Sequence, residues 1–130
     1  MNAYRYQSAM IVDDMEIDIY VLRKLIHNLS FAKMILPFTS GNEALQYLLD
    51  SANKAELIPE IIFLDLRMPV LTGFGFLDLF EMLPDPIKTK SKIVIITSSL
   101  NPEEKKTALS NPFVHHLIEK PLSVDGLNQV

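Results

Sequence analysis

Side chains with chemistry in them stand just past four short strand-like runs. Ala9-Met10-Ile11-Val12 leads into Asp13 and Asp14, Ile61-Ile62-Phe63-Leu64 into Asp65, and Ile93-Val94-Ile95-Ile96 into Thr97, while His115-His116-Leu117-Ile118 is followed by Glu119 and Lys120. An apolar run of this length with no polar face reads as a strand buried on both sides. In an open parallel sheet, ligands bind at the carboxyl ends of such strands, so residues there are placed for chemistry. Two carboxylates ~4 Å apart repel by about 4 kcal/mol at an effective dielectric of ~20. Three aspartates gathered at one edge therefore call for a cation. Oxygen-only ligands at a water-accessible edge suit Mg²⁺, which keeps several waters and takes one or two carboxylates plus a phosphate oxygen. No loop has the acidic spacing of an EF-hand, which argues against calcium.

The elements that must position these residues follow from periodicity. After the strand at Ala9–Val12, the residues Ile19, Leu22, Leu25, Ile26 and Leu29 recur at helical spacing from Glu16 onward. Met34 to Phe38 reads as a second strand, and Ser40-Gly41-Asn42-Glu43 as a capping box opening a helix with Ala44, Leu45, Leu48 and Leu49 inward. Asp50 to Glu60 reads as helix end and loop, and Val70 to Gly73 as a turn before a helix on Phe74, Leu77 and Phe80. Pro84-Asp85-Pro86 is expected to end that helix. Asn101-Pro102-Glu103-Glu104 opens another, with a cap residue, a proline in the first turn and acids on the positive end of the dipole. Ser123 opens a last, short one. Met15, Met34, Met68 and Met82 are expected to pack inside.

Five strands alternating with helices close into a three-layer α/β/α fold, a parallel sheet with helices on both faces. Five strands favour the flavodoxin-like order 2-1-3-4-5 over a barrel, which needs eight. The strands ending at Val12 and Leu64 are then neighbours, and Asp13, Asp14 and Asp65 face one crevice. Residues 1–130 read as a single domain.

The chain resembles the receiver domain of two-component response regulators, such as the chemotaxis response regulators. The resemblance rests on Val12-Asp13-Asp14, on Leu64-Asp65-Leu66-Arg67-Met68-Pro69 with Gly73 after it, on Ile96-Thr97-Ser98-Ser99 and on Lys120-Pro121. It implies that Asp65 is the phosphoacceptor, attacking a phosphohistidine on a sensor histidine kinase or a histidine phosphotransfer protein. It also implies Mg²⁺ held by Asp14 directly, by Asp13 through water, by Asp65 and by the backbone carbonyl of Arg67. Thr97 resembles the family's switch hydroxyl and Lys120 its lysine. The implied output is a changed protein-binding face for a downstream protein, built from the loop after Ile96 and the elements that follow it. The family pattern has an aromatic three residues before the lysine. Leu117 stands there, with His116 beside it as a possible stand-in. Met82 to Ser91 is longer than the family norm, and only eight residues follow Leu122. Arg67 and Ser99, each two residues past a key position, are expected to overhang the crevice and control water access.

Twelve Lys and Arg against sixteen Asp and Glu, a net charge of −4, argue against a surface for nucleic acid phosphates. With no cysteine, disulfides, thiolate metal sites and cysteine nucleophiles are excluded. No apolar run approaches the ~18 residues of a membrane span, so the expectation is a cytoplasmic domain without membrane contact. The leading reading is a phosphorylation switch and not a turnover enzyme. Two others compete: a receiver-like adaptor that is never phosphorylated, and a Mg²⁺-dependent phosphatase of the haloacid dehalogenase kind. The latter wants a second acid two residues after its nucleophile, where this chain has Arg67.

Overall fold

Apolar runs without a polar face of their own must be covered on both sides, and the chain meets that demand with a parallel sheet between two layers of helices. The computed structural model describes residues 4–130. The strands are β1 (Tyr6–Val12), β2 (Ala32–Phe38), β3 (Ile61–Asp65), β4 (Lys92–Thr97) and β5 (Val114–Glu119). They form one sheet in the order β2-β1-β3-β4-β5, with every neighbouring pair parallel. The helices are α1 (Glu16–Asn28), α2 (Gly41–Asp50), α3 (Gly73–Phe80), α4 (Asp85–Lys90), α5 (Pro102–Ser110) and α6 (Val124–Asn128). This is the expected flavodoxin-like architecture, and no helix of the described residues is long and apolar enough to cross a membrane.

Side-chain alternation along the strands divides the core in two. Ala9 and Ile11, Ile61 and Phe63, Val94 and Ile96, and Ile118 face Ile19, Leu22 and Ile26 of α1 and Leu127 of α6. Met10 and Val12, Ile62 and Leu64, and Ile93 and Ile95 face the other layer, where α2 brings Ala44, Leu45 and Leu48, α3 brings Phe76, Leu77 and Phe80, and α5 brings Ala108. Side-chain caps open four helices. Glu43, Gly75, Glu103 and Gly126 each donate a backbone N–H, to Ser40, Thr72, Asn101 and Ser123 respectively.

Several expectations need correction. Pro84 and Pro86 do more than end α3, which stops at Phe80. Pro84 sits at the N-cap of α4 and Pro86 in its first turn, where a missing N–H costs nothing, and α4 buries Ile87. Strands β1 and β2 start earlier than the apolar runs suggest, at Tyr6 and Ala32, because ladder pairing extends beyond the fully buried stretch. Leu49 is half exposed and not inward, one position past the α2 stripe of Ala44, Leu45 and Leu48. Of the four methionines expected inside, only Met68 is buried; Met15, Met34 and Met82 lie on the surface.

Gly73 ties the helical layer to the strand that ends at Asp65. Its N–H donates to the Leu66 carbonyl at 2.9 Å, and a Cβ at this position would lie 2.6 Å from both the Asp65 carbonyl oxygen and the Leu66 Cα. Backbone on both sides cannot move aside without displacing the end of β3. At Gly75 an added Cβ would meet the Leu71 Cδ1 at 2.7 Å, the far end of a flexible side chain. Gly73→Ala is expected to lower unfolding stability by about 2 kcal/mol, in the range of core overpacking. Gly75→Ala should change it by under about 1 kcal/mol. Urea midpoints of the two variants check this, and equal midpoints would show that α3 is free to shift.

Candidate functional site

The register of the sheet brings the predicted residues to one edge. Val12 is level with Leu64, Asp65 with Ile96, and Thr97 with Glu119, so Asp13, Asp65, Thr97 and Lys120 all fall at or one step past the ends of their strands. Alternation then sorts them. Asp13, Asp65 and Lys120 continue the rows Ala9-Ile11, Ile61-Phe63 and Ile118, on the face covered by α1. Thr97 continues the row Ile93-Ile95, on the face covered by α5.

One carboxylate oxygen from each of Asp13, Asp14 and Asp65 lies within 4.8 Å of the others, with Asp13 and Asp65 buried and Asp14 half-buried. These oxygen-only donors, all carboxylates, fit a hard divalent cation. The acids are partly offset from within. The Lys120 ammonium lies 2.7 Å from Asp18 Oδ2, 3.1 Å from Asp13 Oδ2 and 3.6 Å from Asp65 Oδ2. Asp13 Oδ1 accepts from the Met15 N–H at 3.0 Å, and Asp65 Oδ1 from the Arg67 N–H at 3.2 Å. Burial, reinforced by the charge of Asp13, pushes the Asp65 carboxyl up to about 6 against the pull of Lys120 and the Arg67 N–H. For Lys120, burial works against the ammonium. The hydrogen bond to Asp18, with Asp65 and Asp13 behind it, outweighs burial and raises its pKa.

Thr97 is fully buried. Its hydroxyl oxygen accepts from the Ser99 N–H at 2.9 Å, which leaves the hydroxyl proton free to donate. The Lys120 N–H donates to the Thr97 carbonyl at 2.8 Å, so the two positions are joined through backbone. Arg67 contributes its N–H to the site, but its guanidinium reaches away to Glu104 on α5 at 2.8 Å, with a long 3.5 Å contact to Ser99 Oγ. Ser99 is buried, and Arg67 is mostly exposed.

Leu117, level with Ile95 on the Thr97 face, packs against the cluster that includes Ala108 of α5. His116 is level with Val94, on the opposite face, beside Tyr6, Ile61 and Val130. Alternation therefore rules His116 out as the stand-in for the missing aromatic, and Leu117 holds the position. Two partners of the site lack any signal in the apolar pattern: Asp18, which takes Lys120, and Glu104, which takes Arg67. Both read from sequence as acids of a helical first turn. For Asp18 the one local signal is its closeness in sequence to Asp13 and Asp14, in the first turn of the helix that follows them.

Comparison with known proteins bears on the family and the fold. A family model described as response regulator receiver domain matches residues 9–130. A two component response regulator from Cytophaga hutchinsonii superimposes with a TM-score of 0.84 at 31% identity, covering 95% of this chain and 92% of that one. The chemotaxis protein CheY4 of Vibrio cholerae, at 21% identity, shares the fold with a TM-score of 0.75 over 95% of this chain and 93% of its own. A curated protein of Methanothrix harundinacea (strain 6Ac), the probable methanogenesis regulatory protein FilR2, is 26% identical over 120 residues, 92% of this chain and 76% of that protein.

The raised Asp65 pKa has a consequence for stability. Folded, Asp65 holds its proton up to about pH 6; unfolded, it releases it near the ordinary value of about 3.9. Between these values the folded state binds more protons, so stability falls as pH rises through the window and is flat above it. In metal-free buffer, the advantage of Asp65→Asn over the wild type should therefore grow by about 2 kcal/mol between pH 4 and pH 7. Urea unfolding at both pH values measures it, and an unchanged difference would show that Asp65 titrates normally.

Proposed function

The chain belongs to the response regulator receiver domain family, and from that premise we propose that it is a phosphorylation switch whose phosphoacceptor is Asp65. The observation that carries this reading is a buried carboxylate at a strand end, with two further aspartates and one ammonium converging on it. Receiver domains are signalling domains that take phosphoryl groups from kinases or phosphotransfer proteins. The phosphodonor here is accordingly a phosphohistidine on a sensor kinase or phosphotransfer protein.

In the proposed step, an Asp65 carboxylate oxygen attacks phosphorus in line. The new O–P bond forms as the P–N bond breaks, and the imidazole leaves with the electron pair and takes up a proton. With its pKa at about 6, Asp65 is about nine-tenths ionised at pH 7 and so competent as the nucleophile. Phosphoryl transfer is mostly positioning and charge stabilisation, and Lys120 supplies a cation toward the transferring oxygens. Asp13, Asp14, Asp65 and the Arg67 backbone carbonyl would hold Mg²⁺, whose chemistry when bound is to neutralise charge on those oxygens. Thr97 donates its free hydroxyl proton to a phosphoryl oxygen. Because Thr97 lies on the α5 face, that bond draws the loop after β4 and biases α5 and β5, which form the face read by a downstream protein.

Intact-mass measurement with a small phosphodonor tests the reading. The wild type should gain one phosphoryl group in Mg²⁺, with no gain after chelation and none for Asp65→Asn. No adduct and no released phosphate would leave the adaptor reading in its place. Arg67→Ala, which removes the tie from this loop to Glu104 of α5, should change the decay rate of the adduct, and an unchanged decay would remove Arg67 from the account.

A further inference from the structure

Lys120 does not give its closest contact to the phosphoacceptor. Its Nζ donates to Asp18 at 2.7 Å and to Asp13 at 3.1 Å, both within hydrogen-bond range, while Asp65 at 3.6 Å lies beyond it. Asp18 sits in the first turn of α1, across the crevice from β5, and is itself about two-thirds buried. We propose that Asp18 is a positioning residue: it draws the Lys120 ammonium toward α1 and keeps it partly off Asp65 until a phosphoryl group arrives to claim it. The inference rests on the reading of Asp65 as phosphoacceptor.

The plainer role for Asp18 is that of any acid in a helical first turn, favoured by the dipole. Glu16 occupies the same turn and has that role without touching Lys120. The dipole alone does not account for a lysine held from three sides. A cation shared among Asp18, Asp13 and Asp65 must be redistributed when phosphorylation adds about one negative charge at Asp65 and moves it onto the phosphoryl oxygens. The closest of its resting contacts, the one to Asp18, then opposes that redistribution most. Asp18 thus sets how readily the phosphorylated state forms, although it contacts neither the phosphoryl group nor Asp65.

Beryllofluoride, a tetrahedral anion that occupies a phosphoryl position on a carboxylate, reads this as an equilibrium. At saturating Mg²⁺, Asp18→Asn should bind it about three- to tenfold more tightly than the wild type, the scale of one partly exposed charged hydrogen bond. Glu16→Gln, with the same loss of charge in the same turn, should stay within about twofold, and Asp18→Glu should return binding toward the wild type. Independently of any metal, a crystal structure of metal-free Asp18→Asn should place Lys120 Nζ within about 3 Å of Asp65. If Asp18→Asn matches Glu16→Gln, or Lys120 stays where it is, the role assigned to Asp18 is overturned while the phosphoacceptor reading stands. If the wild type binds no beryllofluoride, the phosphoacceptor reading itself fails and this one with it.

Discussion

Mutual repulsion among carboxylates at the end of a buried sheet is the constraint on which the site depends. Asp13, Asp14 and Asp65 are brought within 4.8 Å of one another by strands whose apolar interiors leave no freedom to spread. The fold therefore concentrates negative charge where it is poorly solvated, and the raised pKa of Asp65 is the direct expression of that. Lys120 answers the repulsion only in part, because Asp18, outside the cluster of three, takes its closest contact. What remains is a pocket with unspent affinity for positive charge.

The same architecture decides which residues can speak to each other. Strand alternation puts Asp13, Asp65 and Lys120 on the α1 face and Thr97 on the α5 face. On the proposed reading, the sheet separates the chemistry from its readout, and Thr97 stands where the two meet. The Lys120 N–H to Thr97 carbonyl bond joins the ends of β4 and β5 at that point. Gly73, pressed against the backbone of Asp65 and Leu66, fixes the third strand end from behind. On the proposed reading, a change of charge at Asp65 acts on a strand end fixed from behind by Gly73 and is passed on through Thr97.

Much of this was legible in the sequence because it depends on residue type at strand ends. Runs such as Ile61–Leu64 admit one environment, and a polar residue after each marks the edge. Ser40, Asn101 and Ser123 announce their helices by local hydrogen-bond chemistry, and the structure uses all three. What was not legible depends on how elements meet. Whether Asp18 reaches Lys120 is set by the seating of α1 on the sheet, 102 residues away in the chain. Pro86 was ambiguous because one residue type both ends one helix and opens the next, and only the burial of Ile87 decides. Met15, Met34 and Met82 misled because an apolar side chain outside a periodic stripe has no assigned face. His116 and Leu117 are neighbours in sequence, and only the register with Val94 and Ile95 separates them.

Both cations beside Asp65 are engaged elsewhere at rest, Lys120 with Asp18 toward α1 and Arg67 with Glu104 toward α5. The two attachments differ in strength. The Arg67 side chain is mostly exposed, and such an ion pair is worth under about 1 kcal/mol. Lys120 is 16% exposed and hydrogen-bonded to two carboxylates, so each of its contacts is screened less. One unit of new negative charge ~4 Å from a cation attracts it by about 4 kcal/mol at an effective dielectric of ~20. On the proposed reading, that attraction must compete at Lys120 with two hydrogen-bonded carboxylates, Asp18 and Asp13. The Arg67–Glu104 pair, mostly exposed, offers far less resistance to any movement of the loop that carries Arg67. The lysine is therefore the more firmly held of the two cations, and Asp18 is its closest hold.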